Sequence, residues 1–195
     1  MVTKKEIKFA DCVMLIDASY INQVVKDLSM HFKQVISREL PKADLSVLLE
    51  CLAMDAGIKP GKRNIQVLFI YDKSHQMMDG FTPSSLKNEL NEVAFQSELG
   101  EFQITSYEPS NLASREDLYV ESVKVIADAK EVKTLILVPS ENEYAEQLPP
   151  ILQKFDKKDF IGIWGMNPLL DIDGYHWEML GYGMLQSLGI KANEI

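Results

Sequence analysis

Five acids stand where apolar runs give way to polar segments: Asp17, Asp72, Asp117, Glu141 and Glu143. Carboxylates gathered at one point are what a hard cation such as Mg²⁺ requires, because it takes oxygen ligands and keeps waters that can orient a phosphate. An ion held in that way would activate water for phosphodiester cleavage. The same spacing admits a structural explanation. Ser140-x-x-Glu143 has the capping-box pattern and Ser114-x-x-Asp117 is a weaker version of it, and acids in a first helical turn suit the helix dipole with no metal at all. Asp17 ends the most apolar run and has no capping box, although Asp17-Ala18-Ser19 could open an Asx-type turn.

The elements that must position these acids are legible from hydrophobic periodicity. Val13 to Ile16 is a short continuous apolar run and reads as a buried parallel strand. Ile21, Val24, Val25, Leu28, Phe32, Val35 and Ile36 then repeat at three and four residues, the stripe of an amphipathic helix. A second helix is expected from about Asp44 to Ala56, stopping at Gly57, and a strand from Ile65 to Tyr71 that Asp72 closes. Thr82-Pro83 predicts a helix start, with Leu86, Leu90, Val93 and Ala94 as its buried stripe. Phe102 to Tyr107 is the third strand, Ser114 caps a helix to about Ala129, and Thr134 to Val138 is the fourth strand. A helix from Tyr144 to Phe155, a fifth strand from Phe160 to Trp164 and a last helix from Trp177 to Leu188 complete the chain.

Alternating strands and helices predict a three-layer α/β/α sandwich on a mainly parallel five-stranded sheet. Right-handed crossovers would put every strand-to-helix turn on one edge, the edge where open α/β sheets bind ligands. Residues 1–166 are expected to form this domain. Residues 167–195, opened by Asn-Pro and Asp173-Gly174 turns, are expected to add a helical extension on the same core.

Composition narrows the function. A formal net charge of -9 opposes general attraction to nucleic-acid backbones, so DNA is not an expected partner. The apolar stretch after Lys4, Lys5 and Lys8 is too short for a signal-peptide core or a membrane span, which gives a cytoplasmic location by default and no membrane partner. Cys12 and Cys51 lie inside apolar patterns without metal-ligand spacing and read as reduced core residues. Lys59, Lys62 and Arg63 form a basic turn on the edge opposite the acids, where a phosphate contact competes with plain solvation. His31 and His176 read as structural, and His75 is the one histidine near the acidic edge. Asp171 to Gly174 hints at a calcium loop but fails the EF-hand spacing.

Two stretches carry a family resemblance. Leu15-Ile16-Asp17-Ala18-Ser19-Tyr20-Ile21 resembles the opening of PIN domains, an apolar strand followed by Asp-x-Ser/Asn. Leu137 to Tyr144 resembles the NYN branch of that superfamily, whose strand ends in Ser-Gly-Asp-x-Asp-Phe: Pro139 and Ser140 stand at the Ser-Gly positions, Glu141 and Glu143 at the two Asp positions, and Tyr144 at the Phe. Asp117 stands in the place of the acid that opens the preceding helix. The resemblance spans roughly Val13 to Trp164. It implies a PIN-like fold and a ribonuclease site with Asp17, Asp117, Glu141 and Glu143 as catalytic ligands of Mg²⁺ or Mn²⁺, Ser19 and Asp72 supporting them, and RNA as substrate. The sequence departs from the pattern in having Glu at both late Asp positions, Tyr20 where an Asn would stand, and Ser114, Arg115 and Glu116 in place of a basic residue and glycine. These departures keep open a catalytically silent PIN-like domain that acts through a protein partner or a second copy of itself.

Overall fold

The structure is a computed structural model that describes residues 8–155, 158–169 and 175–195. Lys4, Lys5 and the Asp171 to Gly174 segment lie outside the described residues. The strands are β1 (Cys12–Asp17), β2 (Ala43–Asp44), β3 (Asn64–Ile70), β4 (Phe81–Thr82), β5 (Val93–Ser97), β6 (Gly100–Tyr107), β7 (Thr134–Val138), β8 (Phe160–Gly165) and β9 (His176–Met179). The helices are α1 (Ala18–Val35), α2 (Leu45–Asp55), α3 (Arg115–Asp128), α4 (Pro149–Leu152) and α5 (Gly181–Ser187). No described helix is long and apolar enough to cross a membrane.

Seven strands form the main sheet in the order β5-β6-β3-β1-β7-β8-β9, all parallel except the β5–β6 pair. The chain builds outward from β1 through β3 to β6, then returns to the other side of β1 with β7. The strand order therefore reverses between β1 and β7, and a crevice is expected at their carboxyl ends. Alternation along each strand divides the core into two faces. Met14, Ile16, Val67, Phe69 and Val138 pack against α1, α2 and α5. Val13, Leu15, Leu68, Leu135 and Ile163 pack against Tyr119, Val123 and Ile126 of α3 and Leu148 beyond β7. Burying side chains of this size is worth about 1.5–3 kcal/mol each, and the two-faced burial fixes the register because a one-residue slip would reverse both faces.

The expected α/β/α architecture is present, with seven strands rather than five. The segment expected as a helix from Thr82 is not one. Thr82 pairs in β4 with Asp44 of β2, and the Thr82–Pro83 peptide is cis. Leu86 and Leu90 are buried as their spacing implied, but a turn places them: Glu89 Oε2 accepts the Ser84 and Ser85 amides at 3.1 and 2.8 Å, and Ser85 O accepts the Leu90 amide at 3.1 Å. Val93 and Ala94 then enter the antiparallel edge strand β5. The helix expected from Tyr144 shrinks to a 3₁₀ turn at Ala145–Gln147 and the four-residue α4. Pro149 and Pro150 lack the amide hydrogens needed to carry a continuous helix through. Trp177 belongs to β9, paired with Ile163, and helix resumes only at Gly181. Cys12 and Cys51 are buried free thiols as expected, and burial pushes the Cys12 thiol up to about 12.

Candidate functional site

Asp17 is the last residue of β1 and the N-cap of α1, where its Oδ1 accepts the Tyr20 amide at 2.9 Å. It is fully buried, so its carboxylate has to be satisfied from within the protein. The Tyr144 hydroxyl donates to Oδ2. Arg115, the first residue of α3, donates from Nη1 to Oδ1 at 3.1 Å. The same guanidinium places Nε 3.5 Å from Asp72 Oδ2 and donates from Nη2 to Glu143 Oε2. Its side chain is only 11% exposed.

Three carboxylates from the carboxyl edge of the sheet thus meet on one arginine. Asp72 lies two residues beyond β3, next to Tyr71, whose amide donates to Tyr107 O at 3.1 Å. Glu143 comes from the turn after β7, where Ser140 O accepts the amides of Tyr144 and Ala145 at 3.2 and 3.1 Å. The possible Ser140–Glu143 capping box does not form: the chain turns on the Ser140 carbonyl, and the Glu143 side chain reaches Arg115.

The other two candidates point elsewhere. Asp117 completes a capping box with Ser114, its Oδ2 accepting the Ser114 amide at 3.0 Å and the hydroxyl at 2.8 Å. Those bonds hold its carboxyl below the usual range. Glu141 accepts the Asn167 amide at 2.7 Å and its side-chain NH₂ at 3.1 Å, beside the Tyr20 hydroxyl. Gly165 leaves the space this needs, since a Cβ there would collide with the Glu141 carboxylate. Ser19, expected to support Asp17, keeps its buried hydroxyl without a hydrogen-bond partner.

Burial raises the Asp17 pKa above the usual carboxylate range, with Arg115, Tyr144 and the Tyr20 amide pulling it back. Burial pulls Arg115 down, but Asp17, Glu143 and Asp72 outweigh it and leave the guanidinium above its ordinary value. Tyr144 is raised by burial and by the Asp17 charge beside it, which keeps its hydroxyl a proton donor. The site is a closed electrostatic hub in which a fixed cation satisfies Asp17, Asp72 and Glu143 together.

This donor set does not fit a divalent ion as it stands. A guanidinium occupies the point where Asp17, Asp72 and Glu143 converge, and a second cation there would be repelled by it. Asp117 and Glu141 have other partners, and no described group of three or more His, Cys, Asp or Glu could hold a metal. The histidines have other ring contacts: His75, whose amide donates to Asp72 O at 2.9 Å, is exposed and contacts the Ser74 hydroxyl, His31 packs edge-on to Phe32, and His176 stacks on Phe160.

Sequence reasoning missed Arg115 as a site residue. One signal was available: it is the only cation in the first turn of α3, where the helix dipole disfavours positive charge. A cation in that position needs carboxylates nearby, and three supply them.

No curated protein and no solved structure matches the chain. A family model described as "Family of unknown function (DUF6621)" matches residues 6–195, and the chain belongs to that family.

Proposed function

We propose that the chain is a PIN/NYN-like domain whose acidic edge is closed by its own arginine, and that it works through protein contact rather than by cleaving RNA. The observation that carries this reading is the Arg115 guanidinium among Asp17, Asp72 and Glu143. A guanidinium neutralises carboxylates but offers no open coordination position, so it cannot bind and activate water as Mg²⁺ or Mn²⁺ would. Around the hub the Glu143 and Asp72 side chains remain 51% and 35% exposed, and with the net charge of -9 they suit a basic protein surface better than a phosphate backbone. Metal-dependent ribonuclease action would require Arg115 to leave and Asp117 and Glu141 to abandon their partners.

Calorimetric titration with Mn²⁺ and Mg²⁺, run with a single-stranded RNA cleavage assay on the parent and on Asp17→Asn, tests the proposal. Expected are no saturable metal binding at millimolar concentration and no cleavage above that of the variant. Saturable Mn²⁺ binding and metal-dependent cleavage, both lost in Asp17→Asn, would establish the nuclease reading instead. The contact surface is tested by Glu143→Lys, which should abolish the salt-sensitive part of any association with a basic partner or a second copy.

A further inference from the structure

Among the described residues α3 packs on β1 and β3, and no helix makes comparable contact with β6 and β5. The register lays Asn64, Glu101 and Gln96 in one cross-strand row of the face on which α3 packs and Gln66, Gln103 and Ala94 in the next. At the amino edge of the sheet, opposite the hub, these rows open into a cleft of about 910 Å³ where Lys8, Lys62 and Arg63 converge. None of the three forms a salt bridge among the described residues, although the chain carries nine more acids than bases. Arg63 Nε is buried with no hydrogen-bond partner. Three cations without a salt bridge, one of them with a buried donor that has no partner, give this concavity the groups that bind a phosphate.

Two features define the rest of the ligand. Asp11 and Glu101 also line the cleft, as do the side-chain amides of Gln66 and Gln103. The Gln66 carbonyl oxygen is occupied by the Ala10 amide and the Gln103 NH₂ by Glu101, which leaves one amide NH₂ and one amide oxygen for hydroxyl groups. Phe9 and Gln66 also line an adjoining apolar slot of about 320 Å³, bounded by Leu68, Leu118 and Val125 with Tyr107 at its far end. Val125 and Tyr107 are 51% and 46% exposed, so the slot is open to solvent. From the Gln66 row to the Ile70–Tyr107 row is four residues, about 13 Å at roughly 3.3 Å per residue. The trough thus offers cations at one end, hydroxyl partners and the Phe9 ring between, and a largely apolar slot with Tyr107 at the other, bordered by Glu121 and Ser122.

We propose that this trough binds a nucleoside 5′-phosphate, the phosphate against Arg63, Lys62 and Lys8 and the base in the slot between Phe9, Leu118 and Tyr107. The cleft and slot volumes fall within the range of small-ligand sites. The overall negative charge opposes a long polyanion, which favours the free mononucleotide over a nucleic-acid strand. The phosphate end lies at the other edge of the sheet from Arg115, while the base end reaches the Ile70 row that pairs with Asp17; the lining includes no hub side chain, and the site does not depend on the proposed role of the hub.

Calorimetric titration of the full chain with 5′-AMP and 5′-UMP, alongside adenosine, ribose 5-phosphate, inorganic phosphate and a short oligoadenylate, tests the proposal. Saturable binding of at least one 5′-mononucleotide is expected, weakened about tenfold or more when either the base or the phosphate is missing. Arg63→Met combined with Lys62→Met should lose about tenfold or more while its thermal midpoint stays at the parent value, and Val125→Asp should weaken base-bearing ligands but not ribose 5-phosphate. No saturable binding of any mononucleotide up to about 5 mM, undiminished binding by a folded double variant, or binding of the oligonucleotide alone would overturn the proposal.

Discussion

Replacing Arg115 by Met keeps the length and apolar stem of the side chain and removes only the guanidinium. Asp17, with no solvent exposure, then retains the Tyr144 hydroxyl and the Tyr20 amide but has no counter-charge. At the 3.1 Å separation of Nη1 and Oδ1 the direct attraction is about 5 kcal/mol for an effective dielectric of roughly 20. Leaving one partner of a buried pair alone costs about 3–5 kcal/mol. For a chain of this size that corresponds to a fall in melting temperature of roughly 6–20 °C. The loss should depend on pH. Burial already holds the Asp17 pKa above its unfolded value, and loss of Arg115 raises it further. The folded variant therefore binds a proton that the unfolded chain has released, and its stability falls as pH rises from the unfolded carboxyl value through the raised folded one. Urea unfolding of the parent and Arg115→Met at pH 5 and pH 8 should show the larger deficit at pH 8. Adding Asp17→Asn to Arg115→Met should recover part of it. A deficit below about 1 kcal/mol, or one that does not change with pH, would refute the description of Arg115 as the buried counter-ion of Asp17.

Three further outcomes are expected. Tyr144→Phe removes a donor to a buried carboxylate and should cost about 1.5–3 kcal/mol in urea unfolding. Ser114→Ala removes the N-cap of α3 and should cost about 1 kcal/mol, and because Arg115 is the next residue the two changes should couple in a double-mutant cycle. The Arg38 guanidinium holds the Glu194 carboxyl down at about 2, so its stabilising effect is present above the usual carboxyl range and is lost as pH falls toward about 2. Glu194→Gln should flatten that part of the acid unfolding curve, and high salt should do the same to the parent.

Strands β1, β3, β7 and β8 were legible as largely apolar runs, and β6 by the alternation of buried Phe102 and Ile104 with the more exposed Gln103 and Thr105, signals that need no tertiary information. Thr134 to Val138 matches β7 at both ends. The edge strands β5 and β9 were not legible. Val93 and Ala94 sit three and four residues beyond Leu90, so they extend a helical stripe on paper, and only pairing with β6 makes them a strand. Trp177 likewise reads as the start of the last helix until β8 supplies its partner. The acids were found by their position at strand ends, and Asp17, Asp72 and Glu143 do meet. Their selection was not visible. Whether an acid caps its own helix or crosses to another element depends on a partner that sequence spacing does not disclose, and Ser114–Asp117 and Ser140–Glu143 share a pattern yet resolve in opposite ways.

Arg115 lies 98 residues from Asp17 and 28 from Glu143 along the chain. Its bonds join β1, the turn after β7 and the start of α3, and contacts between segments so far apart along the chain are expected to close late in folding, after the barrier. Interactions formed there leave the folding rate almost unchanged and act on unfolding. On that expectation the arginine is a kinetic clasp: Arg115→Met should speed unfolding and leave the folding rate nearly unchanged in a denaturant-jump experiment, so the clasp would govern how long the domain stays folded rather than how quickly it forms.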